Sequence, residues 1–190
     1  MIDEKLSLSI LNKYEEVSKV FGDFQKKNNL HCPTGCGKCC FNPEISCTPY
    51  ELIPMALHLL ATKKAEVYLE EAKIKKDGRC LFLKVTDEEK GLGSCREYEH
   101  RPFLCRAFGI SARHGKNNQI EYNICKVFKD TNQITEDLNF AESEIPFIEI
   151  WNKNLETLDP HFLEKEIPIN HALIAILEKV LLWDSYQEKN

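Results

Sequence analysis

His31-Cys32-Pro33-Thr34-Gly35-Cys36-Gly37-Lys38-Cys39-Cys40 decides how this chain is read. Thiolate sulfur is a soft ligand that suits zinc and iron–sulfur clusters. Cys36-Gly37-Lys38-Cys39 is a C-x-x-C step, whose glycine lets the backbone turn around a bound ion. A fully helical segment would set Cys32, Cys36, Cys39 and Cys40 on one face. Pro33, Gly35 and Gly37 confine any helix to the later part. Both geometries bring the sulfurs together.

Outward from this block, Cys80, Cys95, Cys105 and Cys125 follow at long intervals. With Cys32, Cys36, Cys39 and Cys40 they make the candidate metal ligands. The ninth cysteine, Cys47, sits just before a helix cap and reads as packing. Adjacent residues such as Cys39 and Cys40 rarely bind one ion together. Two four-sulfur sites, or one site with supporting thiols, are both consistent with the count. The arginines add to this pattern, because Arg79, Arg96, Arg101, Arg106 and Arg113 all lie in the cysteine-bearing middle. Guanidiniums there offset thiolate charge or fork onto a bound anion. Arg101 and Arg106 flank Cys105 and are expected to support the cofactor. Among the histidines, His31 reads as a surface residue and His100 as a support beside Arg101. His58, His114, His161 and His171 carry no pattern, and none pairs with a cysteine as base and nucleophile.

The chain has 190 residues, 43% hydrophobic and 29% charged, with a net charge of −5. This is ordinary globular composition, long enough for a real core. The acidic balance argues against nucleic acid and anionic membrane as partners. The polar N-terminus lacks the pattern of a signal peptide, and no run reaches the roughly 20 apolar residues of a membrane span. The expected location is the cytoplasm, where thiols stay reduced and clustered cysteines bind metal.

Periodicity predicts a helix over residues 2–28, with Leu6, Ile10, Tyr14, Val17, Phe21 and Phe24 as its apolar stripe. Thr48-Pro49-Tyr50-Glu51 starts a second helix that runs to about Leu60, and a third covers about 63–75. Runs 80–83 and 93–98 read as a β-hairpin joined by the polar loop 86–93, with Cys80 and Cys95 near one end. A short helix is expected over Arg101–Arg106, and a strand at 120–124. From Thr135 on, prolines divide about three helices, with stripes Phe147, Ile150, Trp151, Leu155 and Leu173, Ile176, Leu177, Val180, Leu181. The predicted fold is mainly α with a small β-hairpin, an irregular cysteine-rich metal-binding core packed by helices. Its divisions are an N-terminal helix at 1–29, a metal-binding domain at 30–126 and a C-terminal helical segment at 135–190, packed on the same domain.

The combined pattern resembles the YkgJ-type cysteine-cluster family, a zinc- or iron-chelating domain. The likeness rests on Cys32-x3-Cys36-Gly37-x-Cys39-Cys40, Thr48-x-x-Glu51 and Cys80-x-Phe-Leu, followed by Gly93-x-Cys95-x-x-Tyr98-x-x-Arg101-Pro102-x-x-Cys105-Arg106 and Cys125. It spans about residues 30–126. The resemblance implies a metal-binding protein, with zinc or an iron–sulfur cluster as cofactor. Iron–sulfur is slightly favoured, because the ligand set is all cysteine and some relatives are labelled iron–sulfur oxidoreductases. Other relatives are labelled flagellin lysine N-methylases, which implies a protein-modifying enzyme with a protein substrate as the alternative. A thiol redox sensor, built on Cys39-Cys40 and the C-x-x-C step, is the third reading. Cys32-x3-Cys36-x2-Cys39 also equals the spacing of radical S-adenosylmethionine enzymes. Here Lys38 replaces their aromatic residue, Cys40 follows directly, and the βα repeats of their barrel are missing.

Overall fold

The computed structural model describes residues 3–135, 138 and 140–187. Helix α1, Glu4–Lys27, begins where the Asp3 carboxylate accepts the Leu6 N–H at 2.7 Å. Lys26 and Lys27 complement its C-terminal dipole, and Asn29 leaves it at φ 54°. Its stripe is buried as the sequence predicts: Ile10, Tyr14, Val17, Phe21 and Phe24 are all under 5% exposed. Burying each such side chain stabilises the fold by about 1.5–3 kcal/mol.

That stripe packs against α3 (Ile53–Ala61), and α3 and α4 (Ala65–Ile74) pack against α8 (Ile169–Gln187). Leu52, Leu59, Leu173, Ile176 and Leu177 meet in this core with Ile10, Tyr14 and Val17. Two short helices, α2 (Lys38–Phe41) and α5 (Phe103–Arg106), carry cysteines, and α6 (Lys126–Thr131) follows Cys125. Helix α7 (Ile148–Glu156) buries Trp151 and Leu155 but leaves Ile150 52% exposed, so Ile150 does not belong to the predicted stripe. Beyond Thr135, two α-helices and two 3-10 turns appear among the described residues instead of about three helices. Residues 136, 137 and 139 of the first predicted one lie outside them.

Among the described residues six strands form three antiparallel pairs: β1 (Ser46–Cys47) with β6 (Ile167–Pro168), β2 (Leu83–Asp87) with β3 (Leu92–Cys95), and β4 (Ile110–His114) with β5 (Ile120–Ile124). The fold is thus mainly α with small β pairs. The first hairpin is shifted from its predicted limits. Cys80, Leu81 and Phe82 are buried in a turn ahead of β2, and the strand runs on through Thr86 and Asp87, which were expected to belong to the loop. Strand β5 was expected, but its partner β4 was not. Their hairpin covers a second apolar cluster of Phe24, Ile110, Ala112, Phe128, Ile145 and Phe147.

Candidate metal centre

The first cysteine block folds as a knuckle docked on β3. The Gly37 N–H donates to the Gly91 carbonyl at 3.3 Å, and the Gly93 N–H donates to the Gly35 carbonyl at 2.9 Å. A Cβ on Gly37 would lie 3.1 Å from Gly93 N, and one on Gly93 would lie 2.8 Å from the Lys84 carbonyl oxygen. Two glycines therefore allow the backbones to meet. The chain then turns into α2, which carries Cys39 and Cys40. The Cys80 N–H donates to the Cys40 carbonyl at 3.0 Å and ties the two cysteine segments together.

Seven cysteines, Cys32, Cys36, Cys39, Cys40, Cys80, Cys95 and Cys105, line one cavity of about 480 Å³. Cys39, Cys40 and Cys80 form a chain of thiol hydrogen bonds. Cys105 is buried with Cys40, Cys39 and Cys95 as electrostatic neighbours, while Cys32 faces Cys36, Cys125 and Cys39. Cys39 is thus the hub of the group. Cys125 lies outside the lining, at the head of α6, and borders a second cavity beside Ser111 and Glu166. Cys47 is 1% exposed within the main apolar core and also lies outside the cavity.

Proximity and burial favour the protonated thiol at Cys32, Cys39, Cys40, Cys95 and Cys105. Burial and neighbouring sulfurs push Cys32 up to about 11. Cys40 rises to about 12, because the Cys80 hydrogen bond and burial outweigh the lowering by Cys39. The thiols of Cys39 and Cys105 are held well above their ordinary value, Cys39 by its bond to Cys40 and Cys105 by burial. A cation entering the cavity exchanges with these protons.

Both arginines expected to support the cofactor border the cavity, and Arg101 acts on more of the sulfurs, since Arg106 interacts with Cys105 alone among them. Arg101 acts to lower the thiols of Cys32, Cys95 and Cys105. Its guanidinium lies 3.8 Å over the Tyr98 ring, and its buried Nε has no hydrogen-bond partner among the described residues. Such an orphaned donor facing a thiol-lined cavity suits an anionic metal–thiolate group. Arg106 also borders the cavity, but its nitrogens are committed to protein. They donate to the Arg101 carbonyl at 3.0 Å, to Ser18 Oγ at 3.0 Å and to the Glu99 carbonyl. Arg79, Arg96 and Arg113 pair with Glu88, Glu71 and Glu121 respectively.

Three further supports surround the site, of which the sequence shows Glu51 only as a helix cap and gives no pattern for Asn170 or His58. Asn170, on α8, accepts the Leu81 N–H at 2.9 Å and donates to the Arg79 carbonyl at 2.7 Å. It fixes the backbone on both sides of Cys80. Asn170→Ala strands both groups and is expected to cost about 2 kcal/mol in urea unfolding. The second support, Glu51, forms a capping box with Thr48, whose N–H donates to Oε1 at 2.9 Å. Its buried Oε2 closes no hydrogen bond among the described residues, although Phe103 and Leu104 at the head of α5 face it. Burial raises this carboxyl from 4.5 to about 7.

A raised acid is favoured by the fold in its protonated form. This stability is complete below pH 4.5 and is lost as pH rises through about 7. The shift corresponds to about 3 kcal/mol. The stability difference between wild type and Glu51→Gln, measured by urea unfolding at pH 5 and pH 7.5, is expected to move against wild type at the higher pH. Taking the difference removes the pH dependence of metal binding common to both proteins.

The third is His58 on α3, which meets Glu97 and His100 from the loop after β3. Their ligand atoms all lie within 4.8 Å of one another, the one such trio of His, Cys, Asp or Glu among the described residues. The spacing Glu97-x-x-His100 is the one sequence sign of it, since it places both side chains on one side of a turn.

No curated protein and no solved structure matches the chain. A family model does, over residues 31–126, and its description reads "CxxCxxCC: Putative zinc- or iron-chelating domain". The matched span contains all the cysteines of the cavity and just over half of the chain. By this match and its cysteine-lined cavity, the chain belongs to the CxxCxxCC zinc- or iron-chelating family.

Proposed function

We propose that the cavity holds an iron–sulfur cluster, with Cys39 at its centre and ligands drawn from Cys32, Cys36, Cys40, Cys80, Cys95 and Cys105. The spread of the sulfurs carries this reading. Four thiolates on one zinc at 2.3 Å stand about 3.8 Å apart. Here seven cysteines surround about 480 Å³, yet among the described residues no three sulfurs lie within 4.8 Å of one another. A cluster of several irons, each taking its own thiolate, matches such spacing better than one ion does.

Arg101 offsets the charge of the thiolate-bound cluster, and its free Nε is available to a sulfur. Arg106 and Asn170 hold the two segments that carry Arg101 and Cys80. In this reading residues 30–126 are the metal-binding domain, while the helix of 1–29 and the segment 135–190 pack on it and add Ser18, Phe21 and Ile169 to the cavity wall. Dithionite reduction under anaerobic conditions, followed by electron paramagnetic resonance, tests the proposal. A signal from a reduced cluster, lost in Cys39→Ser, is expected. A silent protein that holds stoichiometric zinc contradicts it.

A further inference from the structure

We propose that His58, Glu97 and His100 form a second metal site, which takes a divalent first-row transition ion through two imidazole nitrogens and one carboxylate oxygen. The three ligand atoms already converge within 4.8 Å. His58 Nε2 stands 3.4 Å from Glu97 Oε2. The Glu97 side chain is only 10% exposed, so its carboxylate is largely cut off from water and gains from a cation beside it. His58, at 32% side-chain exposure, opens the group to solvent and gives an ion a way in.

The frame is rigid. Helix α3 fixes His58 between Leu59 and Met55 of the core. Glu97 and His100 flank one 3-10 turn, closed by the His100 N–H donating to the Glu97 carbonyl at 3.2 Å. Arg106 grips the Glu99 carbonyl within that turn.

Two imidazoles and a carboxylate suit zinc or iron(II) and differ from the all-sulfur cavity, which none of the three residues lines. Three protein ligands leave a coordination position for water or an outside ligand. The two rings stack at 4.1 Å with 19° between their planes, so their in-plane lone pairs pass each other. Loading the ion turns one ring out of the stack, and the half-exposed His58 has the room.

Equilibrium dialysis against micromolar Zn²⁺ tests the site, on purified protein whose cysteine cavity is already loaded. Metal content is counted per chain. Wild type is expected to take up about one zinc ion more than the double variant H58Q/H100Q, with unchanged metal in the cavity. Glu97→Gln, which keeps the side chain's volume, is expected to weaken zinc uptake at least about tenfold. Equal uptake by wild type and H58Q/H100Q overturns the proposal. So does added zinc that survives in H58Q/H100Q and disappears in C36S/C39S. Neither result depends on which metal the thiols hold.

Discussion

Cys39→Ser is expected to strip most of the metal from the protein and to lower its unfolding free energy by at least about 3 kcal/mol. The reason is position. Cys39 is hydrogen-bonded to Cys40 and is an electrostatic neighbour of Cys32, Cys95 and Cys105. A serine there removes the sulfur shared by both sides of the cavity. Metal-binding free energy in such sites is also folding free energy, and native stability totals only about 5–15 kcal/mol. The control is Cys47→Ala. Cys47 is more deeply buried than Cys39 and packs in the apolar core, outside the cavity. It is expected to cost about 1 kcal/mol of packing and to leave metal content unchanged. Metal analysis with thermal melts of both variants reads the contrast.

Arg106→Met is expected to cost about 3 kcal/mol and part of the bound metal. Methionine keeps the apolar stem but strands the carbonyls of Glu99 and Arg101 and the Ser18 hydroxyl. It also removes a guanidinium held 5.0 Å over the Tyr14 ring. Tyr14 in turn donates to the Glu51 carbonyl at 2.8 Å, so the loss reaches the 3-10 turn that leads into α3. Arg106→Lys is expected to recover little, because one ammonium cannot match a fork aimed at three acceptors. Urea unfolding with parallel metal analysis checks both variants. An Arg106→Met protein of wild-type stability would contradict the clamp.

Helices whose signals are local were legible in the sequence. Each step of the α1 stripe, three or four residues, and the Thr48–Glu51 box lie within about one turn, and both appear as read. The cysteine block was legible for the same reason, since its glycines and sulfurs are near neighbours. Pairings between distant segments were not. Strands β1 and β6 are two residues each and more than a hundred apart, with Pro168 in the second. Strand β4, Ser-Ala-Arg-His after Ile110, carries little β propensity and is held by β5 and the cluster beneath it. The apolar run Cys80–Phe82 suggested a strand, but its burial comes from a turn fastened by Asn170. Burial and strand pairing are different causes of the same composition. The gathering of His58 with Glu97 and His100 likewise depends on α3 packing beside the loop after β3.

Iron and acid-labile sulfide, measured on anaerobically purified protein together with its visible absorption spectrum, test the central claim most directly. Iron and sulfide in comparable amounts, with a brown chromophore, are the predicted result. Stoichiometric zinc in a colourless protein without sulfide would contradict it.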